Sequence, residues 1–157
     1  NQRWRNWRDN KQVMKRTIPV FQALVASDTD HEYHQNYGEL GYALKDQQVP
    51  DWKRAEDELT EAIKIRRDAR HANFRAYEAN RAICRIMQDP ATKQKPPGPA
   101  GKDVQRDIIE DIKTAIDEPW ILDWFKFDET VIDWLTINDA DLARKLIGSR
   151  VRLTGIS

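Results

Sequence analysis

An all-α fold built from antiparallel helix pairs is predicted by three observations on this 157-residue chain. The first is a stripe. Tyr37, Leu40, Gly41 and Leu44 fall at i, i+3, i+4 and i+7 and therefore share one side of a helix. The second is a turn and its sequel: Pro50 disfavours helix at Val49, Asp51 is a residue type that caps helices, and Ala55, Leu59, Ala62 and Ile63 resume the helical spacing. The third is composition. With 39% hydrophobic and 33% charged residues and only six glycines, a solvated helical protein is favoured over a sheet. The length suits one domain with a real core, so residues 1–157 are read as a single helical domain.

Gly41 is the informative residue of the hairpin at 35–70. A helix-interior glycine costs about 1 kcal/mol relative to alanine, so its place on the buried stripe predicts another chain segment passing too close for a side chain. Ala55 and Ala62 supply small residues on the opposing stripe, where two helices would cross closely. This arrangement resembles the tetratricopeptide repeat (TPR), a helix pair carrying W-x2-L-G-x2-Y, then A-x3-F, then P. Tyr37-x2-Leu40-Gly41-x2-Leu44 and Ala55-x3-Leu59-x2-Ala62 correspond in spacing and chemical type. Tyr37 replaces Trp, Leu44 replaces Tyr, the turn is about two residues longer, and Arg67 stands where the closing proline is expected. The resemblance implies antiparallel helix pairs stacked as a short TPR-like right-handed solenoid, with extra helices at both ends.

The amino-terminal segment, 1–34, carries Trp4, Trp7, Met14, Ile18, Phe21 and Val25 at three-four spacing. Pro19 removes a backbone donor, which predicts a kink or two helices with Thr17 capping the second. In the connection that follows, Ser27 to Asp30 are expected to end one helix and start the next through side-chain hydrogen bonds. His31 and His34, with Asp28, Asp30 and Glu32, are metal-ligand types, but their spacing is not the H-E-x-x-H pair and no metal site is expected.

A second hairpin is predicted over 71–119. Its first helix is expected from about Ala72 to Met87, with Ala72, Ala76, Ala79, Ile83 and Ile86 on the apolar stripe. ANRAICRI resembles wording found in the first helix of many such repeats. If Ala82 takes the place of Gly41, then Glu78, Arg81 and Arg85 fall on usually apolar positions; shifting by one residue puts Ile83 at the close crossing. The proline-rich insertion at 90–102 holds four of the seven prolines and is expected to be an irregular, mobile surface loop. The partner helix is capped by Asp103, carries Ile108, Ile112, Ala115 and Ile116, and is closed by Pro119. Residues 120–157 are read as carboxy-terminal helices or a cap, with a break at Asp128, a start at Asn138 and a stop at Gly148.

Several function classes find no support. Net charge is zero, though residues 1–20 hold six Arg or Lys against one Asp and 103–141 hold twelve acids against three bases. That asymmetry could join the two ends, or one end to a neighbour. A single cysteine, Cys84, permits no internal disulfide and favours a reducing, cytoplasmic setting. No apolar run is long enough to span a bilayer and no signal peptide is visible. Beginning with Asn rather than Met, the chain is expected to be a fragment of a larger protein. No G-x-S-x-G, Walker loop, G-x-G-x-x-G or cysteine pair occurs, so no cofactor and no enzyme activity is expected. Cys84 and His71 stand about 19 Å apart along one helix, too far for a nucleophile and base.

The expected function is a protein-interaction or regulatory scaffold module whose partner is a protein or peptide, another domain of the parent included. The resemblance implies a concave groove lined by Glu39, Tyr42 and Lys45 from one helix and Asn80, Ile83 and Met87 from the next, all expected to face the partner. In family members that grip a C-terminal carboxylate, asparagines occupy the places of Glu39 and Asn80. Asn80 matches and Glu39 does not, so carboxylate capture of chaperone tails is not expected. The alternative is binding to nucleic acid or a membrane surface through Arg3, Trp4, Arg5, Trp7, Arg8 and the basic run Lys64 to Arg70.

Overall fold

The computed structural model describes residues 11–68 and 75–150. Within them the chain is all-helical: α1 (Lys11–Ser27), α2 (His34–Asp46), α3 (Trp52–Asp68), α4 (Ala76–Gln88), a short 3-10 turn (Pro90–Lys93), α5 (Lys102–Ala115), α6 (Pro119–Phe125), α7 (Glu129–Asn138) and α8 (Ala140–Gly148). Each of the first four helices packs on the next in sequence, α7 packs on α8 and α4, and α2 also touches α4. Two apolar cores result. One joins α1 to α2, α3 and one side of α4; the other joins α4 to α5–α8.

α1 runs unbroken through Pro19, and no second helix begins at Thr17. The proline lies on the exposed side, so the carbonyl deprived of its donor lies on the solvent side of the helix. Thr17 Oγ1 instead donates to Met14 O at 2.7 Å. Asp28 organises the connection, its carboxylate accepting from the Glu32 and Tyr33 N–H groups at 3.1 and 3.0 Å. Ser27 Oγ closes the end of α1 on Leu24 O.

The α2–α3 crossing is as close as the buried glycine requires. A Cβ on Gly41 would lie 2.7 Å from Leu59 Cγ and 3.2 Å from Ala55 O. Asp51 caps α3 by accepting from Arg54 N at 3.1 Å. Tyr37, Leu40, Leu44, Ala55, Leu59, Ala62 and Ile63 are all buried there.

Buried ion pairs explain how α4 carries charge at positions that apolar residues would normally fill. Arg66 and Glu78, both fully buried, form a two-point pair between α3 and α4 at 2.9 and 2.5 Å. Arg81 grips Asp111 of α5 at 2.9 and 2.7 Å, and Arg85 bridges Asp111 and Glu56, each at 2.9 Å. Ala79, Ala82, Ile83 and Ile86 then pack with Ile108, Ile112 and Ala115.

Two local expectations are corrected. Gly101, not Asp103, occupies the cap position of α5, while Asp103 pairs with Arg106 at 3.0 Å. Asp139 caps α8 by accepting from Leu142 N at 3.0 Å, whereas Asn138 ends α7. The proline-rich insertion is docked at both ends. Asp89 accepts from Ala91 N and from the Trp134 indole, and Ala100 N donates to Asn138 Oδ1 at 2.8 Å. Polar anchors on α7, remote in sequence, supply what the loop's own composition lacks. Asp128, in contrast, caps α7 where a break was expected, accepting from Val131 N at 3.2 Å.

Candidate functional site

The side of α2 and α4 that carries the predicted groove residues is organised by a second close approach. Gly38 lets the Tyr77 ring lie directly on α2, for an added Cβ would sit 2.2 Å from Tyr77 Cε1. Tyr77 meets His34 edge-on, with Nδ1···OH at 2.8 Å, and lies tilted against Tyr42 with centroids 5.9 Å apart. The Arg66 guanidinium lies 5.6 Å from the Tyr77 centroid. Burial, assisted by the Glu39 and Glu78 charges, pushes the Tyr77 phenol up to about 12, so it acts there as a neutral hydrogen-bonding ring. Neither Gly38 nor Tyr77 was singled out from sequence; a second glycine three residues before Gly41 was the available signal.

The six predicted groove residues do not share one exposed surface. Tyr42 is 4% exposed and belongs to the first core. Lys45 is buried beside Asp46, with which it pairs. Asn80 is buried with its amide turned back onto Ala76 O at 2.7 Å, and Ile83 lies in the second core. Glu39 and Met87 are half-buried, Met87 packing against that same core. The physical reason is that α2 and α4 approach each other, which covers Tyr42, while Ile83 and Met87 turn to the second core that α4 forms with α5–α8.

Other candidates resolve into structural roles or lie elsewhere. Cys84 is buried and its thiol is pushed up to about 12 by desolvation, which removes the thiolate a nucleophile needs; His71 lies outside the described residues. His31 bonds Tyr37 at 3.1 Å and sits 3.3 Å from Glu61, while His34 points to Tyr77, so the two histidines diverge. Among the described residues no group of three His, Cys, Asp or Glu could hold a metal. Trp4, Trp7 and Arg3, Arg5 and Arg8 lie outside the described residues. The basic run is not one surface: Lys64 and Arg67 are exposed but Arg66 is turned inside. No helix among the described residues is long and apolar enough to cross a membrane.

A cleft of about 220 Å³ opens beside the ion-pair network, lined by Glu56, Arg85, Gln88, Asp89, Pro90, Val104 and Asp107. Glu56 and Arg85 pair across it, Gln88 Nε2 donates to Glu56 Oε2 at 2.8 Å, Arg85 also reaches Asp111, Asp89 accepts from the Trp134 indole and Asp107 pairs with Arg106. The network ties α3, α4 and α5 together and offers no nucleophile or activated base. Comparison with family models, curated proteins and solved structures finds no match to this chain.

Proposed function

We propose that this chain is a protein-interaction or regulatory scaffold module, in which α2–α3 and α4–α5 are TPR-like hairpins stacked as a short solenoid that receives a peptide or a neighbouring domain along the α2/α4 side. The observation that carries it is the pairing of a close, glycine-mediated crossing within the first hairpin with contact between the leading helices of the two hairpins. Helix pairs stacked in that way leave one side of the leading helices for recognition. Of the residues implicated from sequence, Glu39 and Met87 are the two with partial solvent access, and they become the recognition candidates. A carboxylate with an adaptable thioether suits a segment bearing a cation next to an apolar side chain. Tyr42, Lys45, Asn80 and Ile83 then support the site from behind.

The test is a display-selected peptide binder of the whole chain, measured by calorimetry. Glu39→Lys and Met87→Ala should each weaken it about fivefold or more, the loss of roughly 1 kcal/mol typical of a contributing contact. Arg3→Ala with Arg5→Ala should leave it unchanged. The opposite pattern, with affinity falling steeply as salt is added, would favour the anionic-surface alternative.

A further inference from the structure

We propose that α1–α3 part from the rest of the chain as one unfolding unit, along the seam between α3 and α4, while α4–α8 stay folded. The two sides of α4 bury different chemistry. Ala79, Ala82, Ile83 and Ile86 join the second core with Ile108, Ile112 and Leu135, an aliphatic filling. Ala76, Tyr77 and Cys84 join the first core, and of these only Tyr77 is large; its hydroxyl is committed to His34 Nδ1 at 2.8 Å. Half-buried Trp52 packs against both cores. Polar links supply much of what remains. Arg66 of α3 pairs with Glu78 of α4 inside the protein, Arg81 Nη1 donates to Thr60 Oγ1 at 3.2 Å, and Glu56 of α3 accepts from Arg85 and Gln88 at 2.9 and 2.8 Å.

The two seams differ in what it costs to open them. Separating an aliphatic core returns its whole apolar area to water, at a cost proportional to that area. A buried ion pair adds little net stability, because both charges gave up hydration to form it and regain it when the seam parts. The α4 side also keeps partners of its own. Arg81 and Arg85 retain Asp111 of α5, and Arg75 lies 3.9 Å from Glu78 on the same side of the seam. On the other side the Gly41 crossing ties α2 to α3 and α1 shares their core, so the three move together. Openings of this kind, larger than a frayed end and smaller than the whole fold, are cooperative units of structure. Cys84, fully buried in the first core on the α4 side, is uncovered by that step, and its thiol reports it.

Native-state hydrogen exchange of the full chain, in urea below the unfolding transition, tests the division. Amides of Leu40, Leu44, Leu59 and Ala62 should share one opening free energy, lower and with a smaller urea slope than that shared by Ile108, Ile112 and Leu135. Two variants then separate the steps. Ile112→Val weakens only the second core, so exchange at Ile108 and Leu135 should quicken about threefold or more, with α2, α3 and thiol labelling of Cys84 as in the parent. Arg66→Met with Glu78→Leu replaces the pair by apolar groups, which should tighten the seam and slow both α2–α3 exchange and Cys84 labelling about tenfold. A single opening free energy across both sets of amides overturns the inference. So does Ile112→Val quickening α2, α3 and Cys84 along with α5, an α1 that opens alone while α2 and α3 exchange with α5, or Cys84 labelling in the Arg66→Met, Glu78→Leu chain no slower than in the parent. Should that double variant not fold, the parent and Ile112→Val decide between one unit and two by themselves.

Discussion

Replacing Gly41 by alanine sets two effects of opposite sign against each other at one atom. Alanine is the better helix former by about 1 kcal/mol, so an isolated α2 would gain. In the folded chain the new methyl would lie 2.7 Å from Leu59 Cγ, 3.0 Å from Leu59 Cδ2 and 3.2 Å from Ala55 O. Leu59 is fully buried and its Cγ is a branch point, so it has no open space to swing into; Ala55 O belongs to the backbone of α3. Relief therefore requires the two helices to part by most of an ångström, which forfeits a quarter to a half of the dispersion energy across the seam. Overpacking of this kind costs about 1–3 kcal/mol, and the fixed neighbours place Gly41→Ala at the upper end, for a net loss of about 1–2 kcal/mol after the propensity gain. Gly41→Leu should lose about 3 kcal/mol or more by the same route. At this chain length each kcal/mol lowers Tm by about 2–4 °C. Urea titration followed by far-UV circular dichroism measures the loss. Gly148→Ala is the control, because a Cβ there meets nothing within 4 Å. A second check is the double variant Gly41→Ala, Leu59→Ala, which should be less destabilised than the sum of its parts, since removing the isobutyl group opens room for the methyl. A Gly41→Ala protein more stable than the parent would refute the close crossing.

Three further outcomes are expected. Asp111→Ala strips Arg81 and Arg85 of their shared carboxylate inside the α3–α4–α5 junction, and urea denaturation should show a loss of about 3 kcal/mol, the scale for breaking one side of a buried pair. Burial pushes the Glu58 carboxyl above its ordinary 4.5, so the stability it contributes is fully present below that value and is lost as pH rises through its folded value; Glu58→Gln should thus melt higher than the parent at neutral pH, with the difference vanishing in acid. Cys84 should react with a thiol reagent only at the rate of unfolding, because the folded chain hides it and holds it protonated.

Sequence alone determined the helical class, the α2–α3 hairpin and its crossing at Gly41, because these rest on short-range periodicity: spacing along a helix dictates which side is apolar, and a glycine on that side has one cheap explanation. It also located the cap at Asp51, where the donor lies within one turn of the acceptor. Only the tertiary structure decided what meets the remaining sides. Glu78 is acceptable inside because Arg66, twelve residues earlier, reaches it, and Arg81 and Arg85 because Asp111 does so from α5. Tyr42, Lys45 and Asn80 looked like surface for the same reason in reverse: α2 and α4 come together across Gly38 and Tyr77 and close over them. The proline-rich loop is held by Trp134 and Asn138, about forty residues further along the chain. A polar side chain is buried or exposed according to partners that arrive from distant segments, and periodicity carries no record of those partners until the helices are packed.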